Sequence, residues 1–257
     1  MWIFIQKSRR SAEQKYEQAN ALGERCKSVG EDLDEIKERD MRHSQHEIVI
    51  LKPTAVFSSF LTSQLPDVKL PDLRLLQIDN TAYALRKQKT DEETLNEIEK
   101  YFSKMFRHEI SRWLGDKARH EIENNFLDFL CCFKFELHNH ILLLEPSIEA
   151  SHQLLLIKPR LALLNWIKES LENQDDLVEV IEKVELSHLE ENATALVKNF
   201  SNLTEIKPFI KENYASIFSA TMSRMSSQPE QWPALDSLQD FNRYFAIEIH
   251  TQLIHMF

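Results

Sequence analysis

The sequence predicts an α+β protein made of two similar β-α-β-α-α-β modules, preceded by an N-terminal helix. Two observations predict this architecture: segments of the first half recur in the same order in the second half, and each recurring segment has the apolar period of one kind of element. The predicted boundaries are a helical extension at 1–45, module one at 46–146 and module two at 147–257. Whether the modules share a sheet stays open. The short connection between them favours antiparallel pairing of the last strand of module one with the first strand of module two.

The recurring segments carry matching motifs. HEIVILKPTAVFSSFL at 46–61 aligns without a gap with HQLLLIKPRLALLNWI at 152–167. AYAL at 82–85 matches ATAL at 193–196, and FLCCFKFELHNH at 129–140 matches FNRYFAIEIHTQ at 241–252. Extra residues accumulate only after the first predicted helix, where a loop absorbs an insertion at little cost. We therefore interpret the pattern as a duplicated domain.

Each module begins with a short apolar run that ends at Lys-Pro, and proline ends a strand and opens a helix at its first turn. The predicted first strands, following helices and second strands are Ile48–Leu51 and Leu154–Ile157, Thr54–Gln64 and Arg160–Leu171, and Ala82–Arg86 and Ala193–Lys198. The longest helix follows. In module one Thr90 and Glu93 form a capping box before an apolar stripe with steps of three and four residues. The stripe comprises Leu95, Ile98, Phe102, Met105, Phe106, Ile110 and Trp113, and such a stripe is typical of a core-facing helix.

The last strand alternates apolar and polar residues, which predicts one inward face and one exposed face. We expect Phe133 and Phe245 to hold the corner between the preceding helix and this strand. In module two the inward face comprises Phe245, Ile247, Ile249 and Leu253. The exposed face carries Glu136, His138 and His140 in module one, and Glu248, His250 and Gln252 in module two.

Glu136, His138 and His140 are the best metal-site candidates, because a carboxylate and two imidazoles alternate on one strand face. Glu248 and His250 are the weaker counterpart in module two. Two other interpretations stay open: solvated polar residues without a ligand, and acid–base catalysis.

Composition excludes several classes of function. The net charge of −10 argues against a broad nucleic-acid surface, which would need Lys and Arg. Only three glycines are present, so a Gly-rich phosphate loop is nearly excluded and no cofactor is expected. Three cysteines are typical of free thiols in a reducing compartment. The first residues contain too short an apolar run for a secretory or membrane segment, so we expect a cytoplasmic protein without a membrane partner.

The N-terminal extension has no counterpart in the repeat. Leu22, Cys26, Val29, Leu33 and Ile36 follow heptad steps among charged residues. This seam predicts either an amphipathic helix docked on its own protein or self-association through residues 12–40.

The motifs resemble a family of small bacterial proteins about one module long. That family's pattern has Lys-Pro-x-x-Pro-Phe-x-x-Trp near the start, Trp-Pro in the last third and Phe-x-Val-x-Val-His at the tail. Module two matches it through Lys158-Pro159, Trp166, Trp232-Pro233 and its final residues, but Ala162-Leu163 replaces Pro-Phe, and module one lacks Trp-Pro. The resemblance implies a bacterial intracellular setting and a small α+β module, with no established activity.

The sequence favours a non-catalytic protein–protein interaction or scaffold protein with a protein partner. Duplication, the acidic composition and the lack of catalytic motifs support this hypothesis. The alternative is a metal-binding protein or a hydrolase-like enzyme that uses the Glu/His strand face or a cleft between the modules.

Overall fold

The computed structural model describes residues 42–43, 45–64, 72–115, 125–144, 152–171, 183–226 and 228–257. The seam predicted over residues 12–40 lies outside these residues, so self-association through it stays a prediction. Within the described ranges, no helix is both long enough and apolar enough to cross a membrane. The described residues contain both helices and strands, and the predicted α+β class is confirmed.

Within the described residues, the two modules have the same order of elements, although each has one helix more there than predicted and a last strand divided in two. β1 (Arg42–His43) is a strand within the segment 1–45 that was predicted as a helical extension. Module one comprises β2 (His46–Pro53), α1 (Ala55–Gln64), α2 (Leu73–Leu76), β3 (Ala82–Arg86), α3 (Asp91–Leu114), α4 (Phe126–Cys132), β4 (Phe133–His138) and β5 (Ile141–Leu143). Module two comprises β6 (Gln153–Pro159), α5 (Leu161–Leu171), α6 (Leu186–Glu190), β7 (Thr194–Lys198), α7 (Ile206–Met222), α8 (Leu238–Tyr244), β8 (Phe245–His250) and β9 (Leu253–His255). Short 3₁₀ turns at Leu203–Glu205 and Pro229–Gln231 flank α7.

The ends of α3 follow from its sequence. The Thr90 hydroxyl oxygen accepts a hydrogen bond from the backbone N–H of Glu93 at 3.2 Å, and the Glu93 carboxylate accepts one from the N–H of Lys89 at 3.0 Å. This reciprocal pair is a close variant of the predicted capping box. The helix ends at Gly115, whose φ of 65° is a left-handed conformation that glycine adopts without a steric penalty.

The strands form two sheets, and each sheet contains a strand of the other module. The four-stranded sheet has the order β4-β2-β3-β9, and the five-stranded sheet has the order β1-β5-β7-β6-β8. β9 of module two lies parallel to β3, with Leu253 opposite Ala82, and β5 of module one lies parallel to β7, with Ile141 opposite Ala195. The modules therefore exchange their last strands.

Sheet sharing is thus present, but the predicted pair of strands was wrong. β5 lies between β1 and β7, whereas the first strand of module two, β6, lies between β7 and β8. The last strand of each module is interrupted after β4 or β8, and only the part beyond the interruption joins the other module's sheet. A parallel pair needs a long crossover connection, and here the intervening elements of the chain provide it.

The hydrogen-bond register also corrects the alignment of the second strands. The N–H of Ala82 donates to the carbonyl of Gln252 at 3.0 Å, and the N–H of Ala195 donates to the carbonyl of His140 at 2.8 Å. Ala82 therefore corresponds to Ala195 and not to Ala193, two residues further along than the matching letters AYAL and ATAL predict. Short apolar strands align equally well in several registers, and only the ladder distinguishes them.

Two apolar clusters cover the two faces of the four-stranded sheet. On one face, the sheet packs on the helices of module one around Phe57, Met105, Phe106 and Phe129. The opposite face contributes to a cluster with strands of the five-stranded sheet, which comprises Ile48, Ile50, Ala82, Ala84, Ile141, Leu154, Leu156, Ala195, Val197 and Leu253. All of these residues are at most 2% exposed. Strands buried on both faces carry apolar residues at successive positions, which explains the near-continuous run in β2.

The predicted helix-to-strand corners are confirmed. Phe133 lies 6.0 Å from Phe106, measured between ring centroids, with an interplanar angle of 84°. Phe245 lies 6.0 Å from Phe218, with an angle of 81°. Both corner rings are buried, at 2% and 0% exposure. The matching motifs at 129–140 and 241–252 therefore form matching aromatic corners.

By compactness, the described chain divides into two units. One consists of Met41–Leu156, Thr194–Ser201 and Glu248–Phe257, and the other contains Ile157–Ala193 and Asn202–Ile247. The strand exchange and both apolar clusters lie within the first unit.

Candidate functional site

The Glu-x-His residues do not lie on an exposed face, and this part of the prediction was wrong. In the antiparallel pair of β4 with β2, His138 lies opposite Ile48, and Glu136 lies opposite Ile50. Residues directly opposite each other project from the same face. Ile48 and Ile50 belong to the cluster that includes strands of both sheets, so Glu136 and His138 point to that interior. The imidazole of His138 is accordingly 0% exposed.

The inward and outward positions of β8 also differ from the prediction. Ile249, predicted to face inward, is 38% exposed, and His250, predicted to face outward, is 0% exposed. Leu253 is buried at 1%, as predicted. Both departures lie at the end of β8, the edge strand of the five-stranded sheet, where the His250 ring turns inward to the carbonyl oxygen of Asn80.

The repeated Lys-Pro and Glu-x-His motifs meet at one place. We call this group the Lys–Glu–His cluster; it comprises Lys52, Glu136, His138, Glu248 and His250. The ammonium of Lys52 forms an ion pair with Glu136 of its own module, and lies 4.0 Å from Oε1 of Glu248 of module two. Lys52 therefore joins carboxylates from the two modules.

Each carboxylate of the cluster is also close to an imidazole. Nε2 of His138 lies 3.0 Å from Oε1 of Glu136, and Nε2 of His250 lies 3.3 Å from Oε1 of Glu248. Nδ1 of His250 lies 2.8 Å from the carbonyl oxygen of Asn80. Because a carbonyl oxygen only accepts hydrogen bonds, Nδ1 carries a proton in this contact. Nε2 of His250 makes no hydrogen bond with any described residue, so the ring is held through Nδ1 by the backbone before β3 and lies beside the Glu248 carboxylate.

His140, the third predicted metal ligand, lies apart from this arrangement along the chain. It belongs to the two-residue connection after β4, where its carbonyl oxygen accepts from Ala195. Among the residues that the structure describes, no group of three or more His, Cys, Asp or Glu side chains is placed to hold a metal ion. The metal-site predictions for Glu136, His138 and His140, and for Glu248 and His250, stay predictions.

The chemistry open to the cluster depends on which groups can be reached. The side chains of Lys52, Glu136 and Glu248 are 30%, 16% and 28% exposed, whereas both imidazoles are fully buried. A general acid or base must come within hydrogen-bond distance of its substrate. Neither ring can do so in this conformation. Pairing of opposite charges inside the fold is therefore the role that the geometry supports.

A second polar group, around Glu109 of α3, was not predicted from the sequence. Oε1 of Glu109 accepts a hydrogen bond from the hydroxyl of Tyr83 at 2.7 Å, and Oε2 lies 3.5 Å from Nη1 of Arg112. Glu109 is 1% exposed and Tyr83 is 0% exposed. The available signal was position: Glu109 follows Met105 and Phe106 by four and three residues, so a carboxylate lies within the apolar stripe.

The electrostatics of this group differ for its two buried members. Burial alone would raise the pKa of Glu109, but the neighbouring His108 and Arg112 outweigh burial, and the pKa is lowered below its ordinary value. Burial and the adjacent Glu109 carboxylate raise the pKa of Tyr83 well above its ordinary value. At neutral pH the pair is therefore a carboxylate and a neutral phenol that donates to it.

The roles of these residues are inferred from their geometry alone, since comparison with known proteins gives no match. No family model, no curated protein and no solved structure matches the chain. The resemblance to a family of small bacterial proteins therefore stays a prediction.

Proposed function

We propose that the protein is a non-catalytic interaction or scaffold protein that binds a protein partner. The observation that carries this proposal is the outer surface of two adjacent helices, α1 and α4. Val56 and Leu127 on these helices are 52% and 72% exposed. Exposed aliphatic side chains of this size, when neighbours are also apolar, are typical of protein-binding surfaces.

The surroundings of these side chains support a shared surface. The Thr54 hydroxyl, just before α1, donates to the carbonyl of Cys131 at 2.7 Å, which brings the start of α1 to the end of α4. Phe60 on α1 and Phe126 on α4 are only partly buried against the core of module one. We define the α1/α4 surface as Val56, Phe60, Phe126 and Leu127. Aromatic and aliphatic side chains of this kind are frequent anchors of protein interfaces.

The arrangement of the polar residues supports the same proposal. The Lys–Glu–His cluster pairs its charges internally, and its imidazoles are buried. The polar groups that the sequence offered for chemistry therefore hold strands of two modules together. Function must be argued from a site, and the exposed α1/α4 surface is the site that supports this proposal.

The test is crosslinking of the full chain to its partners in native lysate, with one variant on the α1/α4 surface and one elsewhere. Leu127→Asp should lose the proteins that crosslink to wild type, because a carboxylate cannot be desolvated in an apolar interface. Leu203→Asp is the matched control, since Leu203 is 51% exposed and lies in the 3₁₀ turn before α7. Equal capture by all three proteins, or capture of no specific protein by wild type, would contradict the proposal.

A further inference from the structure

The two exchanged strands have the same backbone ladder. The N–H of Ala82 donates to Gln252 at 3.0 Å, and the N–H of Met256 donates to the carbonyl of Ala84 at 3.2 Å. In the other exchange, the N–H of Ala195 donates to His140 at 2.8 Å, and that of Leu144 donates to Val197 at 3.2 Å. β5 also pairs with β1, whereas β9 is the edge strand of the four-stranded sheet, so backbone hydrogen bonding alone would hold the β9 exchange less firmly than the β5 exchange.

Side-chain hydrogen bonds also hold the β9 exchange. Oδ1 of Asp79 accepts a hydrogen bond from the backbone N–H of Thr251 at 3.0 Å, and Oδ2 accepts one from the Thr251 hydroxyl at 2.6 Å. Thr251 belongs to the connection between β8 and β9. We call these two hydrogen bonds the clamp. It holds Thr251, where the chain of module two passes from β8 into the four-stranded sheet.

The corresponding residues of module two differ in chemistry. The correspondence of Ala82 with Ala195 places Asn192 at the position of Asp79, and the Glu-x-His alignment places Asn139 at the position of Thr251. An asparagine side chain has one acceptor oxygen where aspartate has two, and Asn139 has no hydroxyl. A charged, two-oxygen acceptor is therefore specific to module one.

Arg112 connects the clamp to the buried group around Glu109. Its Nη2 donates to the carbonyl of Asp79 at 2.7 Å, its Nη1 donates to the hydroxyl of Thr81 at 2.7 Å, and Nη1 lies 3.5 Å from Glu109. The fully buried Glu109 is in turn held by the Tyr83 hydroxyl. The guanidinium thus has a fixed position, and it holds the loop that presents Asp79.

Module two retains the arginine and has Thr194 at the position of Thr81, but it has neither the tyrosine nor the buried glutamate. Nη2 of Arg224 donates to the carbonyl of Asn192 at 3.1 Å, as Arg112 does to Asp79. Leu196 occupies the position of Tyr83. Phe106 and Phe218 pack on the corner rings of their modules, which places Thr221 at the position of Glu109, and the Thr221 hydroxyl donates to the carbonyl of Ile217 in its own helix. The arginine-to-carbonyl contact is therefore common to both modules, and the buried carboxylate is an addition in module one.

We propose that Asp79, positioned by Arg112 and Glu109, is a one-sided latch that controls release of the C-terminal segment Thr251–Phe257 from the four-stranded sheet. Release of this segment uncovers the edge of β3 and the apolar surfaces that Leu253 and Met256 cover, both of which are 1% exposed. An uncovered strand edge and apolar surface are a site for pairing with another strand. The latch keeps this site closed, and the corresponding positions of module two, Asn192 and Asn139, carry neither a carboxylate nor a hydroxyl.

The test is amide hydrogen exchange of the full chain, because exchange reports local opening. Asp79→Asn, which copies the residue of module two, should accelerate exchange at Ala82 and Met256 by about tenfold or more, since it removes hydrogen bonds to a charged acceptor. Exchange at Ala195 and Leu144 should change by less than about twofold. Equal acceleration at all four amides, or none at Ala82 and Met256, would overturn the proposal.

A control and a second variant complete the experiment. Asp72→Asn makes the same chemical change at the exposed cap of α2, and it should leave the exchange rate of Ala82 unaltered. Thr251→Val removes only the hydroxyl of the clamp and tests the same latch if Asp79→Asn does not fold. In the Asp79→Asn background, Thr251→Val should have a smaller effect than in wild type, because the two residues act through one clamp. Full additivity of the two substitutions would refute a shared clamp.

Discussion

Replacement of Lys52 by methionine should destabilise the protein through the carboxylates that Lys52 joins. Lys52→Met keeps the length and apolar body of the side chain and removes the charge between Glu136 and Glu248. Breaking a fully buried ion pair from one side costs about 3–5 kcal/mol, and an exposed pair contributes about 0–1 kcal/mol. The Lys52 and Glu136 side chains are 30% and 16% exposed. We therefore expect the free energy of unfolding to fall by about 1–3 kcal/mol, between these limits.

Urea unfolding followed by far-UV circular dichroism measures this change. Lys100→Met is the matched control, because Lys100 forms a 3.2 Å ion pair with Glu97 on α3 but its side chain is 59% exposed. The control should leave the free energy of unfolding unchanged within experimental error. Adding Glu136→Gln to Lys52→Met should recover part of the loss, because one of the two uncompensated carboxylates is removed. A Lys52→Met variant as stable as Lys100→Met would refute the reasoning that assigns the cluster a structural role.

Two further measurements test the electrostatics of the fold. Burial and the charges of His46 and His152 lower the pKa of His255. The stability that the neutral ring contributes is fully present when the pH is above the ordinary histidine pKa, and it is lost as the pH falls through the lowered pKa of the folded state. The thermal midpoint of unfolding should therefore decrease as the pH is lowered from about 7 to about 5. His255→Gln should flatten this pH dependence, and an unchanged slope in the variant would contradict its assignment to His255. Zn²⁺ and Mn²⁺ should shift the thermal midpoint of unfolding by less than about 1 °C, since both imidazoles of the Lys–Glu–His cluster are buried. A stabilising shift that His138→Gln abolishes would instead establish the metal-site prediction.

Local features of the fold could be predicted because they depend on neighbours in the sequence. The capping residues of α3 interact across three or four residues, and the corner at Phe133 depends on a helix and a strand that are contiguous. Such interactions survive in any tertiary arrangement that keeps the helix and the strand. The two modules could therefore be outlined before their packing was known.

The candidate site could be predicted only in part. Lys52, Glu136 and Glu248 were visible as repeated letters, and the pairing of β4 with β2 brings Lys52 and Glu136 together. The burial of His138 and His250 was not predictable, since a strand with alternating polar residues normally faces solvent on one side. The group around Glu109 was missed for a related reason: a single charge in an apolar stripe is informative only when the partner at Tyr83 is known.

The sequence by itself determined the elements, their order in each module and the aromatic corners, because those depend on periodicity and on residues close along the chain. Tertiary structure decided the exchange of β5 and β9, the burial of His138 and His250, and the clamp of Asp79 on Thr251. Residues 79 and 251 are far apart in the sequence. No local pattern records which of two similar sheets receives a short strand, since both edges offer the same backbone groups and comparable apolar side chains. The choice depends on packing and on side-chain contacts between distant segments, and these exist only in the folded chain.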